Sequence, residues 1–171
     1  MTPPRILVAG VGNIFLGDDA FGVEVARRLS KRTLPENVKV VEFGIRGLDL
    51  AYELLEDYHI AVLVDTVSRG GPPGTLYLLE PAWDEVSAQP AEWSSHSLEP
   101  AEMLRLVCTI GRRPARLLLI GCEPQTFALP EGEKLLSEAV EAAVEEAIAM
   151  IGSVITDTAS QQHAGRERAT P

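Results

Sequence analysis

Three aspartates and a histidine carry the residue types that could do chemistry. Asp18 and Asp19 lie in GVGNIFLGDDAFG (Gly10 to Gly22), Asp65 ends the apolar run IAVLV, and His96 sits in SSHSLEP. Gly10 and Gly12 follow a short apolar run, as in the turn that cradles a dinucleotide phosphate. Asp18 and Asp19 then occupy the neighbourhood of that phosphate and would repel it, so a cation is the better guest. One acid of the pair is expected to cap the helix that follows. The other needs a partner, because adjacent carboxylates repel unless a cation or a donor lies between them. Asp65 alone could simply open a turn, and a lone loop histidine is usually a surface residue. Taken together, Asp19, Asp65 and His96 offer two oxygens and one imidazole nitrogen from separate loops. That is an open, three-ligand set suited to nickel, zinc or manganese, and the residue types do not choose among them. His59, at the mouth of an apolar run, and His163, near the end of the chain, are poorer candidates. No GxSxG elbow, Walker loop, HExxH or CxxC is present. Cys122 could serve as a nucleophile with His96 as its base, or be a small buried hydrophobe.

The elements that must position these residues alternate. Arg5–Ala9, Val38–Glu42, Ile60–Val64, Thr75–Glu80 and Arg116–Gly121 read as strands. Apolar spacing near 3.6 marks helices over Ala20–Lys31, Gly47–Glu56, Pro100–Ile110 and Glu131–Ile151. Strands alternating with helices imply a mostly parallel sheet covered on both faces. The Thr66–Gly74 link is too short for a helical crossover, so the strand after it should run antiparallel. With the second and third strands on opposite sides of the first, the crevice opens at the carboxyl ends of strands one and three. Asp19 follows the one and Asp65 ends the other. The long stretch Pro81–Ser97 reads as polar loop, and the tail from Thr156 lacks an apolar period and is expected to be unstructured. The chain therefore divides into one domain, residues 1–155, and a tail, 156–171.

The 171 residues carry 15 Lys and Arg against 25 Asp and Glu, a net charge of −10. Such a chain is ill suited to gripping nucleic acid or an anionic membrane. Two cysteines and no secretory signal speak against a disulfide framework. The apolar run of MTPPRILVAG is too short to be a signal or a membrane span. A cytoplasmic protein is expected.

Gly10-x-Gly12-Asn13, the Asp18-Asp19 pair with Gly22, an apolar strand ending in Asp65 and an isolated His96 before a helix closely resemble the hydrogenase maturation endopeptidases. PGTLYLLE and LLLIGCEP extend the resemblance over most of Arg5–Ile151. It implies a three-layer αβα sandwich with a twisted, mostly parallel five-stranded sheet carrying one antiparallel strand. It also implies removal of a C-terminal extension from the large-subunit precursor of a nickel–iron hydrogenase once nickel is inserted. In that resemblance Asp19, Asp65 and His96 are the metal-contacting and catalytic residues, with Asp19 where many relatives have glutamate. The nickel is supplied by the precursor, so no tightly held metal is expected in the free enzyme, which is expected to be a monomer. EFGIRG (Glu42–Gly47) departs from the family pattern of an aspartate, two glycines and a threonine before the last glycine. In the resemblance, that region is expected to help choose the substrate.

Two other readings share some of these residues. A peptidyl-tRNA hydrolase-like enzyme also opens Gly-x-Gly-Asn, but wants a basic cleft and a histidine soon after that loop. A non-catalytic nickel-binding maturation factor would use the same three ligands and cleave nothing.

Overall fold

A computed structural model describes residues 3–88, 100–128 and 135–167. Five strands, β1 (Ile6–Val11), β2 (Val38–Gly44), β3 (Ile60–Thr66), β4 (Leu76–Leu79) and β5 (Arg116–Cys122), form one sheet in the order β2-β1-β3-β5-β4. Its first four members in that order are parallel, and β4 pairs antiparallel with β5. The placement of β2 and β3 on opposite sides of β1 and the single reversed strand agree with the sequence reading.

The side chains of each central strand alternate between two cores, as the pleat requires. Ile6 and Val8 of β1, Ile60, Val62 and Val64 of β3, and Leu118 and Ile120 of β5 face one layer. That layer consists of α1 (Phe21–Leu29) and the long α5 (Glu138–Glu167). Leu7 and Ala9, Ala61 and Leu63, and Leu117 and Leu119 face the other layer. That second layer is built from α2 (Gly47–Leu54), α3 (Trp83–Ala88) and α4 (Pro100–Ile110). Strands buried on both faces read as unbroken apolar runs, which is why IAVLV and RLLLI stand out in the chain. Each Phe, Val or Leu that α1 buries contributes about 1.5–3 kcal/mol, so Phe21, Val25 and Leu29 are enough to fix its face.

Close approach of α1 to the sheet depends on Gly22. A Cβ there would stand 2.0 Å from the Val64 carbonyl oxygen and 2.3 Å from that of Val11. Any side chain would push the helix off the ends of β1 and β3, where the candidate site lies.

The structure departs from the sequence reading in three places. The last helix runs Glu138–Glu167 rather than Glu131–Ile151, and residues 131–134 lie outside the described part. The tail expected to be unstructured from Thr156 continues this helix, with Thr158 buried. Its hydroxyls are satisfied along the helix: Thr156 donates to the Gly152 carbonyl, Thr158 to Val154 and Ser160 to Thr156. Side chains that bond back one turn satisfy themselves within a helix, and an apolar-period reading does not see them. The third departure is α3, inside the stretch read as polar loop. Trp83 anchors it, buried and donating Nε1–H to the Pro114 carbonyl at 2.9 Å.

Candidate active site

Asp19 and Asp65 meet at the carboxyl ends of β1 and β3, on either side of the point where the strand order reverses. Both are buried, Asp19 at 1 % and Asp65 at 4 % exposure. Neither Asp18 nor Asp19 caps α1, whose N-cap is Ala20 with no side-chain bond. A 3₁₀ turn, Gly17–Ala20, comes between loop and helix and turns the two carboxylates in different directions.

Asp18 faces the C-terminal third of the chain. Its Oδ2 accepts from the Gln125 and Thr126 backbone N–H groups and from Ser137 Oγ, and its Oδ1 accepts from the Ser137 N–H at 2.7 Å. With four donors satisfied inside the protein, Asp18 is an anchor and not a ligand. Its own N–H donates to the Thr126 carbonyl, so the 3₁₀ turn is pinned from both sides.

Asp19 faces the other way. Its Oδ2 accepts the Asn13 N–H at 2.8 Å and its Oδ1 accepts the Thr66 hydroxyl at 3.1 Å. The Thr66 N–H in turn donates to Asp65 Oδ1 at 2.7 Å. One threonine thus touches both carboxylates. Sequence reasoning passed over Thr66 and named Asn13 only as part of the opening motif, since neither type in either setting announces a contact with Asp19. Gly12, at φ 131°, closes the site from below: a Cβ on it would lie 1.8 Å from the Asp19 carbonyl oxygen and 3.7 Å from Asp65 Oδ1. This is the close approach that the glycines of the opening motif provide.

Burial pushes the Asp65 carboxyl up to about 8, and the charge of Asp19 pushes the same way, against a small pull from the Thr66 N–H. Near neutral pH Asp65 therefore keeps its proton beside the Asp19 carboxylate. A divalent cation would relieve the same strain and displace that proton, so the donor set fits a metal. Among the described residues no group of three His, Cys, Asp or Glu side chains surrounds a common point. His96, the third expected ligand, lies outside the described residues, as does the loop that carries it. His59 is exposed at the start of β3, the opposite end of that strand from Asp65.

Cys122 belongs to the core against α1 and α5. Burial, then the charges of Asp18 and Glu123, push its thiol up to about 12. It remains a protonated thiol at any working pH, which favours the small buried hydrophobe over the nucleophile. Glu123, next along, was also missed by the sequence reading. Its carboxylate accepts the Arg69 and Gly70 N–H groups and the Tyr77 hydroxyl, shaping the loop that follows Asp65.

Comparison with known proteins agrees with this architecture. The family model described as hydrogenase maturation protease matches residues 23–154. The hydrogenase 2 maturation protease of Escherichia coli K12 is 32% identical over 156 residues, covering 90% of this chain and 92% of its own. Among solved structures, the hydrogenase maturating endopeptidase HybD of E. coli superposes with a TM-score of 0.76 at 31% identity. The alignment covers 90% of this chain and 93% of that one. A hydrogenase 2 maturation peptidase from Thaumarchaeota archaeon SCGC_AB-539-E09 gives 0.68 at 35% identity, over 89% and 98% of the two chains. On fold, on sequence and on the extent of both matches, this chain belongs to the hydrogenase maturation proteases and is a peptide-bond hydrolase.

Proposed function

We propose that the enzyme removes the C-terminal extension of a nickel–iron hydrogenase large-subunit precursor after nickel insertion, and that the nickel it reads arrives with the precursor. The observation that carries this reading is the buried Asp19–Asp65 pair, in which Asp65 holds a proton where a cation would fit. Two carboxylates without a thiolate make a weak, open site, suited to touching a metal held by another protein. His96 supplies the third contact in this reading. Water adds across the scissile amide, its hydroxyl going to the carbonyl carbon and its proton to the leaving nitrogen. Asp65, with its pKa near neutrality, is placed to handle that proton. The enzyme works as a cytoplasmic monomer and needs no resident metal.

A resident-metal hydrolase must keep its own ion to make hydroxide, and this gives the test. The enzyme is stripped with a chelator, freed of it, and mixed with nickel-loaded or nickel-free precursor in metal-free buffer. Mass measurement of the precursor's C-terminus is expected to show cleavage of the loaded form alone, without added zinc. Inactivity until zinc is returned, followed by equal cutting of both precursors, would overturn nickel recognition.

A further inference from the structure

Thr66 ends β3 and is buried. A buried hydroxyl at a strand end ordinarily does no more than find an acceptor. Here the main chain is held without it. Thr66 pairs with Cys122 in the sheet, and the Val67 N–H donates to the Cys122 carbonyl at 2.9 Å. Just beyond, the Glu123 carboxylate gathers the Arg69 and Gly70 N–H groups. The strand end is fixed against β5 by these bonds, and the hydroxyl is spent elsewhere. It donates to Asp19 Oδ1 at 3.1 Å, in the 3₁₀ turn after β1.

The backbone of Asp19 is likewise settled, its N–H bonded to the Leu16 carbonyl and its neighbour Asp18 anchored on Gln125, Thr126 and Ser137. What remains to be set is the plane of the Asp19 carboxylate. The Asn13 N–H, on Oδ2, is one contact, about which the plane could still turn. The Thr66 hydroxyl on Oδ1 is the second, and two contacts on two oxygens fix a plane. A carboxylate offers about four acceptor positions. Among the described residues one is filled on each oxygen, which leaves one open on each.

Thr66 serves the two acids by different parts of itself. It holds Asp65 Oδ1 with its main-chain N–H and Asp19 with its side chain. A change of side chain therefore loosens Asp19 and leaves the N–H bond to Asp65 in place.

We propose that Thr66 is a positioning residue for the reading of nickel: its hydroxyl sets the plane of the Asp19 carboxylate before the loaded precursor arrives. The proposal rests on the function proposed above. Thr66 touches neither the metal nor the scissile bond; it removes the ordering that Asp19 would otherwise undergo on contact, which is how preorganisation strengthens an interaction.

Two matched pairs isolate the hydroxyl. Thr66→Val keeps the β-branched shape of the parent and loses the donor, and Thr66→Ala differs from Thr66→Ser by the hydroxyl alone. The Kd of nickel-loaded and of nickel-free precursor is measured for each enzyme by rapid mixing, before cleavage sets in, with melting temperatures and cleavage rates alongside. The quantity read is the ratio of the two Kd values, which a general loss of stability does not move. Thr66→Val and Thr66→Ala are expected to lose at least fivefold of the parental preference for the loaded form and at least tenfold of kcat/KM. Thr66→Ser is expected to keep both within about twofold. A preference that survives intact in Thr66→Val and Thr66→Ala, or that Thr66→Ser loses equally, overturns the positioning role and leaves nickel reading standing. A parental enzyme that binds both forms alike removes nickel reading itself, and this proposal with it.

Discussion

A carboxyl group held near a pKa of 8 costs the fold stability at neutral pH. The ordinary value for Asp65 is 3.8, so between 3.8 and about 8 the unfolded chain releases this proton while the native protein keeps it. The native state binds more protons than the unfolded one across that window, so stability falls as pH rises through it. Asp65→Asn can still accept the Thr66 N–H but carries no charge to bury. The variant is expected to melt higher than the parent at pH 8, by several degrees, with a smaller gain at pH 5, and to lose nearly all cleavage. Melts at the two pH values together with a precursor assay check this; an equal difference at both would show that the charge is not the cause. In the proposed mechanism Asp19 must present anionic oxygen. Asp19→Glu should keep substantial activity and Asp19→Asn almost none, with circular dichroism unchanged in both. His96→Ala should lose activity like Asp19→Asn, and full activity in it would break the proposed triad. The meeting of the two aspartates was legible because one follows β1 and the other lies near the end of β3, where the strand order reverses. Thr66 was not, because its hydroxyl meets Asp19 across 47 positions of sequence, and no spacing rule reaches that far.

Elements differ in how plainly the chain announces them. β1, β3 and β5 are buried on both faces, so apolar runs of strand length mark them without help from their neighbours. The antiparallel β4 followed from a link too short for a crossover helix. The end of α5 was hidden, because TDTAS carries hydroxyls where a reader looks for apolar residues, and each of those hydroxyls found a carbonyl one turn back. Thr158 is buried beside Arg5, Asn37 and Arg116, in the wall of a hollow of about 880 Å³ at the amino ends of the strands. A chain ending at Ile155 is therefore expected to melt a few degrees lower than the full chain. Its cleavage rate should hold, since the site lies at the other end of the sheet. Thermal melts and precursor cleavage by the shortened protein decide this, and an unchanged melting temperature would return these residues to the status of a dispensable tail.

The net charge of −10 belongs to no single site and sets what the whole surface attracts. Nucleic-acid binding needs a positive field to release counterions from phosphates, so tRNA is expected to show no binding at low salt by gel shift. Retention there would revive the tRNA-hydrolase reading despite the shared fold of the proteases. Domain continuity matters at this scale too. Asp18 is joined to Ser137 over a separation of 119 residues and to Gln125 over 107, while Asp19 is its covalent neighbour. Contacts so distant in sequence form late, after the loop between them has been closed. A growing chain displays both acids of the opening motif soon after synthesis begins, yet the turn that aims Asp19 waits for the start of α5 to arrive. A nascent fragment that stops short of Ser137 is thus expected to carry Asp19, Asp65 and His96 without cleaving the precursor.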